Sequence, residues 1–120
     1  MEKTESLVGK WRQIKQTIAE LEKEIENLGL KIDGLRNRGL KEHLAETIDL
    51  LLQFKSQYEK AEQQLSNSRS LLAETTEEIV SRIRYANVTS IFIPSAQPNV
   101  AGTQVSIDEN GDLKTVARFS

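Results

Sequence analysis

Cysteine does not occur in this chain, so neither a disulfide frame nor a thiolate metal site can be built from it. A single histidine, His43, excludes Cys-His nucleophilic pairs and zinc sites. A Ser-His-Asp set stays formally open, but a lone histidine at a helix start reads as a surface residue. Aromatic residues make up only 5% of the sequence, so no large globular core is implied. Both prolines, Pro94 and Pro98, lie near the C-terminal end, which leaves everything before them open to helix. No apolar run approaches the ~18 residues of a membrane span, and the opening "MEKTESLVGKWRQ" lacks the apolar stretch of a signal peptide. The net charge of −2 is too close to zero for a nucleic-acid footprint. A cytoplasmic, non-enzymatic protein without cofactors is therefore expected, of one modest domain or a piece of a larger chain.

What is present is a heptad pattern. Leu7, Trp11, Ile14, Ile18, Leu21, Ile25 and Leu28 alternate steps of four and three, the narrow apolar seam of a coiled coil. The residues between them are mostly Glu, Lys, Gln and Arg, a solvated charged face. Glycine then recurs at 29, 34 and 39, each time followed by leucine. Three copies are too few for a β-solenoid, and each glycine costs a helix interior ~1 kcal/mol. A turn is expected at about 30–39, centred near Asp33–Arg38, although Ile32 and Leu35 continue the heptad steps.

A second helix is expected from about Leu40 to Arg84. Leu44, Leu51, Tyr58, Leu65, Leu72 and Ile79 are spaced by seven without a break. The companion positions are mixed, with Ile48 and Ile83 beside Phe54, Ala61, Ser68 and Thr75. A large row beside a small one lets two helices approach closely and buries less apolar area. A short polar turn between two heptad helices implies an antiparallel hairpin, so residues 1–85 read as an antiparallel two-helix coiled-coil hairpin. A turn at 34–35 sets Trp11 opposite Tyr58 and Glu2 near Asn67. It also leaves helix 2 longer than helix 1, by ~65 Å to ~40 Å. Leu71, Leu72, Ile79, Val80 and Ile83 then have no partner within the hairpin. The β segment, a second copy, or residues preceding Met1 can cover them. The last two are the expected ones, which predicts self-association through the distal half of helix 2.

From Ala86 the period changes, and residues 86–120 read as a small antiparallel or irregular β tail. "VTSIFI" (Val88–Ile93) is a β-branched run that ends at Pro94, with no evident partner strand. "TQVSID" alternates, and "LKTVARF" follows "DENGD". Asn-Gly is a strong hairpin signal. A three-residue loop, Glu109-Asn110-Gly111, with Gly111 left-handed, pairs Ile107 with Leu113 and Val105 with Thr115. That register keeps the apolar side chains on one face.

The remaining chemical candidates are weak. Asp108, Asn110 and Asp112 have calcium-loop spacing, but the sixth and twelfth positions are Leu113 and Phe119, where an EF-hand needs glycine and a carboxylate. Asp and Asn favour turns in any case. The expected hairpin tip carries Lys31, Arg36, Arg38 and Lys41 against Asp33 and Glu42, a basic excess. Such a tip reads more often as a solvated turn, but Arg36, Arg38 and Lys41 form a candidate docking tip for an acidic partner or a membrane surface. The alternative to a scaffold is thus a chaperone- or adaptor-like binding arm that docks a protein partner through this basic tip or through the β edge.

The order of long helical hairpin, "IFI", Pro98-Asn99-Val100, an alternating "VSID" with Val105 and Ile107, and a final "NGDLKTVARF" resembles the C-terminal end of the bacterial flagellar assembly protein A family. In that family an antiparallel coiled coil interrupts a right-handed parallel β-helix. The resemblance covers the segment from Ile91 onward together with the architecture. Asn99 stands where the family has glycine, Gln97 where an aromatic precedes the proline, and Ala101-Gly102 resembles an insertion. The family's N-terminal β region has no counterpart here. The resemblance implies a non-catalytic role in flagellar assembly or polar cell organisation, and a first helix that begins in a preceding segment.

Overall fold

The computed structural model describes residues 2–42 and 45–119, with side chains for all of these except 39–42. Helix α1 spans Thr4–Glu42 and helix α2 spans Ala45–Tyr85. Three strands follow: β1 (Ser90–Pro94), β2 (Val100–Ile107) and β3 (Leu113–Phe119). The fold is mainly α. Two helices pack against each other as a hairpin, and an antiparallel sheet of order β1-β2-β3 closes the chain.

The turn does not lie at 30–39. Helix α1 runs through all three glycines to Glu42, and α2 begins at Ala45 rather than near Leu40. The reason is the seam. Leu28 is buried, and Ile32 and Leu35 are half-buried at the next heptad positions. Their burial offsets the ~1 kcal/mol cost of each helical glycine. The two helices are therefore nearly equal, 39 and 41 residues, and the expected length mismatch disappears. Trp11 lies opposite Thr76, not Tyr58, and donates its indole N–H to the Thr76 hydroxyl at 3.0 Å. Glu2 lies near Arg82, not Asn67, and its carbonyl accepts from the Arg82 guanidinium at 2.6 Å. Tyr58 instead sits 3.9 Å from the space beside Gly29.

The chain divides into two compact units. One combines Met1–Gln13 with Leu72–Ser120, and the other is Ile14–Leu71.

In the first unit, Leu7, Val8 and Trp11 of α1 meet Ile79, Val80 and Ile83 of α2 and Val105 and Leu113 of the sheet in one buried cluster. Leu72, Ile91, Ile93 and Ile107 pack against it, half-buried. The end of α2 is therefore covered within the chain, by α1 and the β segment. At Leu72, Ile79, Val80 and Ile83 the expected need for a second copy or a preceding segment is removed, because the longer α1 brings residues 7–11 alongside residues 76–83; Leu71, expected in the same set, stays 40% exposed.

Local hydrogen bonds fix the ends of this unit. Arg82 donates to the Thr4 hydroxyl at 3.2 Å and to Glu78 at 3.1 Å, tying the start of α1 to the last turns of α2. Helix α2 stops at a left-handed Asn87, with φ of 55°. The Asn87 N–H bonds the Arg84 carbonyl and the Val88 N–H bonds the Ile83 carbonyl. That pair is the Schellman arrangement, with Asn in the place usually held by glycine.

The strand from Ser90 to Pro94 has a partner after all: it pairs antiparallel with β2, Ile91 facing Val105 and Ile93 facing Thr103. Their connection turns at Pro98-Asn99, closed by the Val100 N–H on the Gln97 carbonyl at 3.3 Å. The β2–β3 register is the one that the apolar alternation requires, Ile107 with Leu113 and Val105 with Thr115. Gly111 is left-handed, with φ of 79°. Alternation places Ile91, Ile93, Val105 and Leu113 on the face toward the helices, and Phe92 on the other. Gly102 sits at a register shift in β2. A Cβ there would strike the Ile93 carbonyl and come within 2.5 Å of the Phe92 ring.

In the second unit the two helices share a single seam. Ile14, Leu21 and Leu28 of α1 and Thr47, Ala61 and Leu65 of α2 are buried, while Ile18, Ile25, Leu51, Phe54 and Tyr58 are half-buried. The small companion residues of α2 thus limit what the seam can bury. Across it, Arg69 pairs with Glu22 at 3.2 Å and Lys31 lies 5.6 Å over the Phe54 ring.

Candidate interaction surfaces

Of the seam residues named from the heptads, Leu7, Trp11, Ile14, Leu21, Leu65 and Ile79 are buried, and Ile18, Ile25, Leu51, Tyr58 and Leu72 are half-buried. Leu44 and His43 lie outside the described residues. Ile48 departs from its expected companion position. It is 53% exposed, and its neighbour Thr47 takes the buried place at 6%. The step of four from Thr47 to Leu51, and then three to Phe54, is the regular one.

The basic tip is not a loop. Arg36 and Arg38 lie exposed on the last turns of α1, on a continuous helix instead of a bend. Lys41 belongs to the same helix, with its side chain outside the described set. Arg36 borders a groove between the helices of the second unit, floored by Gly29, Ile32, Ile48, Leu51, Leu52 and Tyr58.

Heptad counting missed Val8, which is 1% exposed, and placed Val80 among the residues needing cover without using its adjacency to Ile79. The usable signal was doubling. Leu7-Val8 and Ile79-Val80 widen the apolar stripe from two positions per heptad to three, the width a helix needs when a further layer covers it. The same widening recurs at the start of α2, where Ile48, Leu50, Leu51 and Leu52 crowd five positions. There the cover is missing among the described residues: Ile48, Leu50 and Leu52 are 53%, 42% and 60% exposed. Leu30 of α1 is likewise 67% exposed.

The "DENGD" loop spends its carboxylate on itself. One oxygen of Asp108 accepts from the backbone N–H of Asn110 and of Asp112, both at 2.9 Å. Asp112 caps the Leu113 N–H at 2.8 Å, and the Asp108 N–H donates to the Asp112 carbonyl. These bonds close the hairpin and give one oxygen of Asp108 and one of Asp112 a structural role. Among the described residues no group of three or more His, Asp or Glu side chains could hold a metal ion. No described helix is long and apolar enough to cross a membrane. No protein-family model, curated protein or solved structure matches this chain.

Proposed function

We propose that this protein is a non-enzymatic interaction module, a coiled-coil scaffold or assembly factor, that associates with a second copy through the start of α2. The observation that carries the reading is the exposed row Ile48–Leu52, one helical turn apart beside the groove lined by Gly29 and Tyr58. Apolar residues at helical spacing, widened as they are where the sheet covers the other unit, mark a face built for a further layer. The charges suit a copy of the same chain. An antiparallel contact of two α2 helices centred on Leu52 sets Lys55 of each near Asp49 of the other, and both are exposed. Sedimentation velocity from low to high micromolar concentration tests this. A dimer that dissociates in Leu52→Lys is the expected result, and a wild-type chain monomeric throughout overturns it.

A second reading is a binding arm that docks an acidic protein through Arg36, Arg38 and Lys41. The exposure of Arg36 and Arg38 on a continuous helix supports it. Retention on a poly-glutamate surface at low salt, lost in the Arg36→Glu, Arg38→Glu double variant, is its expected signature. Equal retention of both proteins overturns it. The narrower role in flagellar assembly or polar cell organisation has the resemblance from Ile91 onward as its support.

A further inference from the structure

Among the described residues, strand β3 is an open edge of the sheet. It borders β2 on one side only. Among the described residues, no backbone group from 114 to 119 makes a hydrogen bond outside that pairing. Every side chain from Lys114 to Phe119 is exposed. The other edge differs. Strand β1 has five residues and ends on Pro94, and a short edge ending in proline resists further pairing. Strand β3 has seven residues, no proline and no bulge of its own, since the irregularity lies at Val100–Gly102 of β2.

The side chains on one face of β3 say what could pair with it. Lys114, Val116 and Arg118 alternate there, opposite Ser106, Gln104 and Gly102. Neither cation has an ion-pair partner within the chain among the described residues. A second copy fits poorly: the antiparallel pairing that uses the whole strand, centred on Val116, sets Lys114 of each copy against Arg118 of the other. Like charges directly opposite destabilise a strand pair.

We infer that β3 is a docking edge for an extended acidic segment of a partner protein, which adds a fourth strand with the pattern acidic–x–apolar–x–acidic. Backbone hydrogen bonds along the edge supply binding, and carboxylates opposite Lys114 and Arg118 with an apolar residue opposite Val116 supply selection. The pattern is the same read in either direction, so parallel and antiparallel docking are both served.

This inference deepens the interaction-module reading but uses a different surface from the Ile48–Leu52 face, so either can fail while the other stands. Its test is an amide shift titration of the full chain. The probe is a blocked seven-residue peptide of threonine with glutamate at positions two and six and valine at position four. The control replaces both glutamates with lysine. The expected result is saturating shifts confined to β3 and its neighbours with the glutamate peptide, and affinity at least about tenfold weaker for the lysine peptide. In the Lys114→Glu, Arg118→Glu variant the preference should invert, which a merely unfolded sheet could not produce. Three outcomes overturn the inference. One is equal affinity for the two peptides. Another is no shift with either at about 1 mM. The third is a concentration-dependent dimer through β3 that excludes the peptide.

Discussion

The two compact units use the same two helices and differ in what lies on them. In Ile14–Leu71 a single seam joins two helices, and half its positions or more are only half-buried. In the unit of Met1–Gln13 and Leu72–Ser120 a sheet adds a third layer. There Ile79, Ile83, Val8 and Val105 fall below 2% exposure, a degree reached by no described hydrophobic residue between 14 and 71. Two helices alone bury a stripe. Burying a widened stripe, with doubled apolar positions, takes a further surface. The difference teaches that the β tail is the lid of a small core and not an appendage, and that the start of α2 has the stripe of a lidded helix without the lid.

Substitutions can break this contrast, beginning with the largest expected effect. Trp11→Ala removes the biggest side chain of the lidded core and its bond to Thr76, and should cost about 3–5 kcal/mol of unfolding free energy in urea titration. Leu21→Ala, at a buried position of the single seam, should cost visibly less, near the lower end of the ~2–5 kcal/mol range. Equal losses would erase the distinction. Gly102→Ala forces a methyl group against the Ile93 carbonyl and the Phe92 ring. It should cost about 1–3 kcal/mol and lower the protection of β1 and β2 amides in particular. Asp108→Ala removes the acceptor of two backbone N–H groups at the β2–β3 turn. At this half-buried site a loss of about 1 kcal/mol is expected. Asn87→Gly relieves a non-glycine left-handed residue at the end of α2, and should raise stability by about 0.5 kcal/mol, seen as a higher thermal midpoint. Leu52→Lys should change the stability of the monomer by less than about 0.5 kcal/mol, because the leucine is 60% exposed in the single chain, while abolishing association.

Much of this was legible from residue spacing. The heptads gave two helices. The alternation on either side of Asn110-Gly111 gave the pairing of Ile107 with Leu113 and Val105 with Thr115, though not the register shift at Val100–Gly102. Three glycines, as local penalties, point to a turn at 30–39, but Ile32 and Leu35 offer seam burial on the same helix and carry α1 on to Glu42. Everything downstream followed from that shift of register: Trp11 against Thr76, the matched lengths, and the cover over Ile83. The partner of β1 was hidden for a different reason. Pairing between residues separated by a proline-rich connection is a tertiary fact, and "SIFIP" carries no mark of which neighbour it joins. The doubled positions Leu7-Val8 and Ile79-Val80 did carry a mark of the third layer, one that a strict two-position heptad count discards. For the candidate surfaces, the basic residues on α1 were visible as charges and a β edge was foreseeable as a docking surface, whereas the assignment of that edge to β3 depends on a strand order that only the fold supplies.

Native-state amide hydrogen exchange of the intact chain tests the central claim most directly, that the sheet makes the ends of the two helices the most stable part of the molecule. Amides of Trp11, Ile83 and Val105 should exchange only through global unfolding, with opening free energies that agree with one another. Those of Ile48–Leu52 should exchange through local openings of lower free energy. Slowest exchange in the Ile14–Leu71 unit, with the sheet opening separately at low free energy, would contradict the account.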